Sequence, residues 1–142
     1  MSDHTVLAVR VLGKHHKRFE ECLPDFEGRG KKLPNGWYDY FEDSADEGNV
    51  SELEKAAEAG VIFVGAHREG DNYMACIFAS EGLGRLFITR ATRDLKAFVE
   101  INDDGGIGGQ PMVDAMKVNQ VYQNLMEKAT TKSEKRKGFE WP

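Results

Sequence analysis

Arg68, Arg85, Arg90 and Arg93 fall near the ends of successive apolar runs, and His67 stands beside the first of them. A guanidinium offers a planar fork of N–H donors that matches carboxylate and phosphate oxygens. Arginines converging at strand ends therefore suit recognition of an anion. His67 would supply a general acid or base there, with no carboxylate at a fixed spacing to orient it. Taken singly, each arginine also reads as a rim salt bridge, to Glu69, Asp71, Glu81 or Asp94. By alternation His67 shares a strand face with Val61 and Phe63, and Arg90 shares one with Leu86 and Ile88. Whether those faces coincide depends on strand register. Trp37, Tyr38 and Tyr40 could stack on a base, although core packing is their ordinary role.

A second constellation is the loop Asp103 to Gln110, DDGGIGGQ, which feeds a helix opening at Pro111. Gly105, Gly106, Gly108 and Gly109 would let successive N–H groups converge on a phosphate or carboxylate, and a helix start adds partial positive charge. Against this, Asp103 and Asp104 repel anions, Pro111 removes an N–H, and the Lys-Ser/Thr of a phosphate loop is missing. The competing reading is a flexible connection.

A third is Asp43 to Glu54, DSADEGNVSELE, which partly follows a calcium loop. Asp43, Glu47 and Glu54 fill its first, fifth and twelfth positions, and Gly48 its sixth. Ala45 breaks the third position, so the plainer reading is an acidic turn leading into a helix. No metal site is assigned. There is no GxSxG, HExxH or paired CxxC, and no cofactor is expected. His15 and His16 are adjacent, which splays their side chains.

The bulk figures bound the function. The chain has 142 residues, 40% hydrophobic and 30% charged, with a formal net charge of −5. That length fits one domain with a real core. An acidic balance argues against general affinity for nucleic acid, which rewards clustered Lys and Arg. Cys22 and Cys76 lie in apolar contexts without ligand spacing, as expected of buried thiols in a reducing, cytoplasmic setting. The N-terminal apolar run is too short for a signal peptide, and nothing approaches the ~20 apolar residues of a membrane span. Charge is uneven. Residues 39–58 hold eight carboxylates against Lys55, and residues 127–137 hold five basic groups against two acidic. These are two solvated faces, or two surfaces that attract each other within or between chains.

The elements that position these residues read as an α+β single domain over 1–138 with an aromatic tail, 139–142. Residues 5–12 form a strand whose apolar run only Arg10 interrupts, which places it centrally. Residues 15–26 are ambiguous between a short helix and a strand, and residues 37–41 likewise. Residues 51–59 form a short helix with Ser51 and Glu54, or Asn49 and Glu52, as a capping box and Gly60 as its terminator. An antiparallel meander follows, with strands near 61–69, 73–80, 85–91 and 95–102 and turns at 69–72 and 81–84. A long helix spans 111–128. Its stripe is Val118, Val121, Tyr122, Leu125 and Ala129, with Met112, Met116 and Met126 alongside. Both sheet faces are apolar, so each needs a cover, and a second subunit is one way to supply it. The element order resembles that of profilin-, longin- and PAS-like domains, a likeness of layout that implies no particular function.

The reading is a non-catalytic cytoplasmic binding or accessory protein, of the kind that includes phage-type inhibitors. It would occupy a protein partner or sequester an anionic, nucleotide-like ligand, as a homo-oligomer with Phe139 and Trp141 at the interface. The alternatives are a small enzyme on a phosphorylated or nucleotide substrate, and a structural assembly subunit. The first requires His67 and at least two arginines to converge beside Gly105–Gly109. The second requires the tail aromatics to insert into a neighbour.

Overall fold

The structure, a computed structural model, describes residues 4–46, 49–70, 74–97 and 110–142. The strands are β1 (His4–Val11), β2 (Lys31–Lys32), β3 (Tyr38–Asp46), β4 (Ile62–His67), β5 (Cys76–Glu81) and β6 (Phe87–Arg90). The helices are α1 (His16–Cys22), α2 (Val50–Glu58), α3 (Gln110–Ala129) and α4 (Lys132–Lys137). One six-stranded antiparallel sheet has the order β2-β3-β1-β4-β5-β6. The strand that its apolar run, interrupted only by Arg10, placed in the middle, β1, pairs with β3 on one side and β4 on the other.

Alternation along β1 divides the core. Leu7, Val9 and Val11 face α1 and α2, together with Phe19, Phe26, Tyr40, Leu53, Phe63 and Phe78. Phe19 is the hub of that side, with its ring 5.0 Å from Tyr40 and 5.8 Å from Phe63. Ala8 faces the other way, with Val64, Ala66, Ile77, Ala79 and the α3 stripe. The five expected stripe residues of α3 are all buried, whereas Met116 on the same helix is exposed. One chain thus covers both faces of its sheet.

Gly65 on β4 is needed for that packing. It pairs with Val9 on one side and Phe78 on the other. A Cβ there would strike the Ala8 carbonyl and stand 2.7 Å from the Phe78 ring.

Helix α2 ends as its sequence indicates. Gly60 takes φ +83°, its N–H reaches Ala57 O at 3.0 Å, and the Val61 N–H reaches Ala56 O at 3.1 Å. That pair of bonds is the Schellman closure. Its start differs from expectation. Asn49 is the N-cap, in a left-handed conformation at φ 55° and without a side-chain capping bond. The capping box forms instead at α4, where Thr131 and Glu134 exchange bonds of 2.9 and 3.2 Å.

The ambiguous segments resolve as a helix over 16–22 and a strand from Tyr38, which runs on through the acidic stretch to Asp46. The meander holds for three strands. The turn before β6 places Gly82 and Gly84 at positive φ. Of the expected strand 95–102, residues 98–102 lie outside the described residues. Its start joins a hairpin through the Ala91–Ala97 bridge. Among the described residues no helix is long and apolar enough to cross a membrane.

Candidate functional site

Strap and turn enclose a cleft on the α3 side of the sheet. The strap is the segment after α3, residues 131–142. Its cleft has a volume of about 460 Å³ and is bounded by the turn 92–96, the C-terminal half of α3 and the strap. The lining is Arg68, Arg93, Asp94, Leu95, Lys96, Tyr122, Gln123, Met126, Phe139, Glu140 and Trp141. A second hollow of about 250 Å³ shares Arg68 and Arg93 and adds Glu69 and Ala75. Across the two hollows three cations face three carboxylates, Glu69, Asp94 and Glu140, with three aromatic side chains as the wall.

Each wall has a local cause. Arg68 follows β4 on the face of Val64 and Ala66, and its N–H continues the ladder to Val6 O at 2.8 Å. Its guanidinium spans the cleft floor, donating from Nη1 to Arg93 O at 2.9 Å. Nη2 donates to Trp141 O at 2.8 Å, and Nε to Pro142 O at 3.2 Å. The turn is tight because Leu95 N–H reaches Thr92 O at 2.8 Å and Thr92 N–H reaches Lys96 O at 2.9 Å. It forces Leu95 to φ +60°, a region bulky L residues avoid. Burial of the Leu95 side chain in the α3-side core holds the turn in place. Backbone strain of this kind concentrates where side chains must be presented in a fixed direction. Here it presents Arg93 and Lys96 at the rim, and Arg93 Nε meets Glu69 at 2.8 Å.

The strap is anchored on Arg10. That side chain is 3% exposed, the only charged interruption in β1. It donates to both Glu134 oxygens, at 2.6 and 2.5 Å, and to Ala129 O at 2.9 Å, and its Nε reaches Asp39 at 3.2 Å. Phe139 covers it, with the ring centroid 4.6 Å from Cζ. A buried charge is tolerated only when paired this fully. The bonds from Arg10 hold the Glu134 carboxyl far below the ordinary carboxylate range, at about 2. Asn35 adds a bond of 2.9 Å to Ala129 O. At the far end, Trp141 Nε1 donates to the Tyr122 hydroxyl at 2.6 Å, and Phe139 packs edge-on to Trp141.

The residues singled out in the sequence separate in space. Arg68 and Arg93 share the cleft. Arg85 lies two residues before β6, with its guanidinium 4.8 Å from the Phe87 ring centroid. His67 pairs with Cys76, and Cys76 pairs with Arg90, so His67 and Arg90 share a sheet face, opposite to the cleft. His67 is buried, its Nδ1 is 3.3 Å from Arg68 O, and burial pushes its pKa down. Gly105, Gly106, Gly108 and Gly109 lie outside the described residues. Asp43 is part of strand β3 and Glu54 of helix α2, and Glu47 lies outside the described residues. Among the described residues no group of three or more His, Cys, Asp or Glu could hold a metal. Phe139 and Trp141 pack on their own chain.

Chemically the cleft can bind. Its described lining has no histidine, cysteine or serine, and burial pushes the Tyr122 hydroxyl up and away from use as a base. Cys76, across the sheet, is raised to about 11 by burial and stays a thiol. Lys96, Arg10 and Glu134 were not picked out as site residues from sequence. The legible signals were a lone arginine in an apolar strand and the Thr131–Glu134 capping-box spacing. No protein-family model, curated protein or solved structure matches the chain.

Proposed function

We propose that the chain is a non-catalytic binding protein whose cleft takes a small anion bearing a flat ring. The observation carrying this is the convergence of Arg68, Arg93 and Lys96 opposite Phe139, Trp141 and Tyr122. The volume falls within the ~300–1,000 Å³ of small-ligand sites. Bonds from a cation to a charged acceptor contribute about 1.5–3 kcal/mol each. Two such bonds with ring contact, about 5–6 kcal/mol together, correspond to an affinity on the order of 100 μM. The free cysteines Cys22 and Cys76 fit a reducing, cytoplasmic setting. The scatter of His67, Arg85 and Arg90 away from the cleft weighs against the enzyme reading.

Calorimetric titration with phenyl phosphate, with benzyl alcohol as the neutral control, tests the proposal. Binding of the phosphate alone is expected, and the double variant Arg93→Glu, Lys96→Glu should weaken it by more than tenfold. Equal binding of both compounds, or no effect of the double variant, overturns it.

A further inference from the structure

We propose that the end of the molecule where β1 finishes is a docking surface for single-stranded nucleic acid, held by phosphate contacts and one stacked ring pair. It uses none of the residues that line the cleft.

Three cationic segments far apart in sequence meet at that end. The loop Gly13–His15 abuts the turn 33–37, since a Cβ on Gly13 would strike the Gly36 carbonyl. Asn35 of the same turn donates from Nδ2 to Ala129 O at 2.9 Å. Lys32 and Lys31 of β2 pair with Tyr38 and Asp39, just past the turn. These contacts gather Lys14 and Lys17, Lys31 and Lys32, and Lys128, Lys132, Arg136 and Lys137. All eight are exposed, and among the described residues none has an ion-pair partner. Glu134 points inward to Arg10, so Lys132 and Arg136, two positions to either side, project from the opposite face of α4.

The carboxylates that stand among these cations are already engaged. Asp39 and Glu134 lie on Arg10, Glu127 on Lys135 and Glu21 on Arg18, and Glu20 accepts from the Tyr40 hydroxyl. The formal charge of −5 is a sum over the whole chain, and the fold distributes it unevenly. Locally the field is that of a cationic surface. Such a surface attracts a polyanion, and each phosphate contact releases condensed counterions.

The rings select a single strand. His16 lies flat on Tyr38, with centroids 3.9 Å apart and planes 5° from parallel. Its Nδ1–H donates to Gly13 O at 2.7 Å, which fixes the imidazole in that position. Tyr38 stands opposite Lys32, and both rings are only half-buried. An unpaired base can add to a ring pair set among lysines, whatever its sequence. A base inside a duplex is already stacked, and an acidic peptide makes no use of the rings.

A fluorescein-labelled oligothymidylate about 20 nucleotides long, enough to span a site of this kind, is titrated with the full chain and followed by anisotropy. Saturable binding is expected at low salt. With about four phosphates contacted, it should weaken roughly fifty-fold between about 50 and 200 mM NaCl. Lys31→Glu with Lys32→Glu, and Lys132→Glu with Arg136→Glu, should each weaken it by more than tenfold. Arg85→Glu with Lys117→Glu makes the same charge change around Phe87 and should leave it within twofold. All six positions are exposed, so the fold tolerates the changes. His16→Ala should weaken binding about fivefold or more with the salt slope unchanged. Equal weakening by all three charge pairs overturns the location. Unchanged binding by His16→Ala, or a duplex of the same length bound as tightly, overturns the preference for a single strand. Polyglutamate competing as well as unlabelled oligothymidylate overturns the nucleic-acid assignment, and no saturable binding at low salt overturns the surface altogether.

Discussion

Arg10 and Glu134 stand 124 positions apart in sequence, and their side chains meet in a two-bond ionic fork of 2.6 and 2.5 Å. The contact joins the central strand to the strap. Removing the carboxylate leaves a buried guanidinium with Asp39 and a single carbonyl as partners. Glu134→Ala should destabilise the fold by about 2–3 kcal/mol, below the full cost of breaking a buried pair because Glu134 is itself partly exposed. That corresponds to a fall in Tm of roughly 4–12 °C for a chain of this size, measurable by calorimetry. A change under 1 °C would show that the fork contributes little.

Acid should destabilise the protein in two stages. His15 and His67 both have folded pKa values pushed below 6.5, His67 by burial and His15 by burial and then by Lys14. His15 Nδ1 also accepts the Ile62 N–H at 3.0 Å, which an imidazolium cannot do. The unfolded chain therefore binds more protons, and stability falls as pH drops below about 6.5. Glu134 contributes in the carboxylate range, where stability present above its ordinary 4.5 is lost as pH falls toward about 2. Urea midpoints across pH 8 to 3 check both stages, and Glu134→Gln should remove much of the second. A flat midpoint from pH 7.5 to 5.5 would contradict the first.

Gly65→Ala tests the packing between β1, β4 and β5. The added methyl meets the Ala8 carbonyl and the Phe78 ring, neither of which can move without disturbing the core. Overpacking of this kind costs about 1–3 kcal/mol, and backbone contact places this case at the upper end. Denaturant unfolding should give a lower midpoint with an unchanged slope. A neutral result would mean that the β4–β5 pair has more freedom than the contacts indicate.

Cys76 should be a slow nucleophile. With its thiol pushed up to about 11, roughly one in a thousand is ionised at pH 8, against about a quarter for an ordinary cysteine. Peptide mapping after timed iodoacetamide treatment of the folded protein reads this. Labelling of Cys76 at the rate seen in the urea-unfolded chain would reverse the assignment.

Much of the fold was open to reading in the sequence because its signals are local. The alternation in β1, the α3 stripe and the Gly60 terminator each express a period or a backbone preference within a few residues. The site was harder because it is made by register. Which arginines converge depends on how β4, β5 and β6 align, and a shift of one residue would exchange the faces of Arg68 and His67. The strap was obscured by its composition. TTKSEKRKGFEWP reads as a solvated tail with two aromatics, since neither Arg10 nor Arg68 is near it in sequence. The course of β3 through an acidic stretch was equally hidden, because pairing with β1 outweighs a low strand propensity.

The central claim is the place where an anion binds. Amide and side-chain shift mapping by NMR during a phenyl phosphate titration reads that place residue by residue. Saturable shifts should gather at Arg68, Arg93, Lys96, Tyr122 and Trp141, while Arg85, Arg90 and His67 stay still. Shifts centred on those last three residues, or no saturable shift, would contradict it.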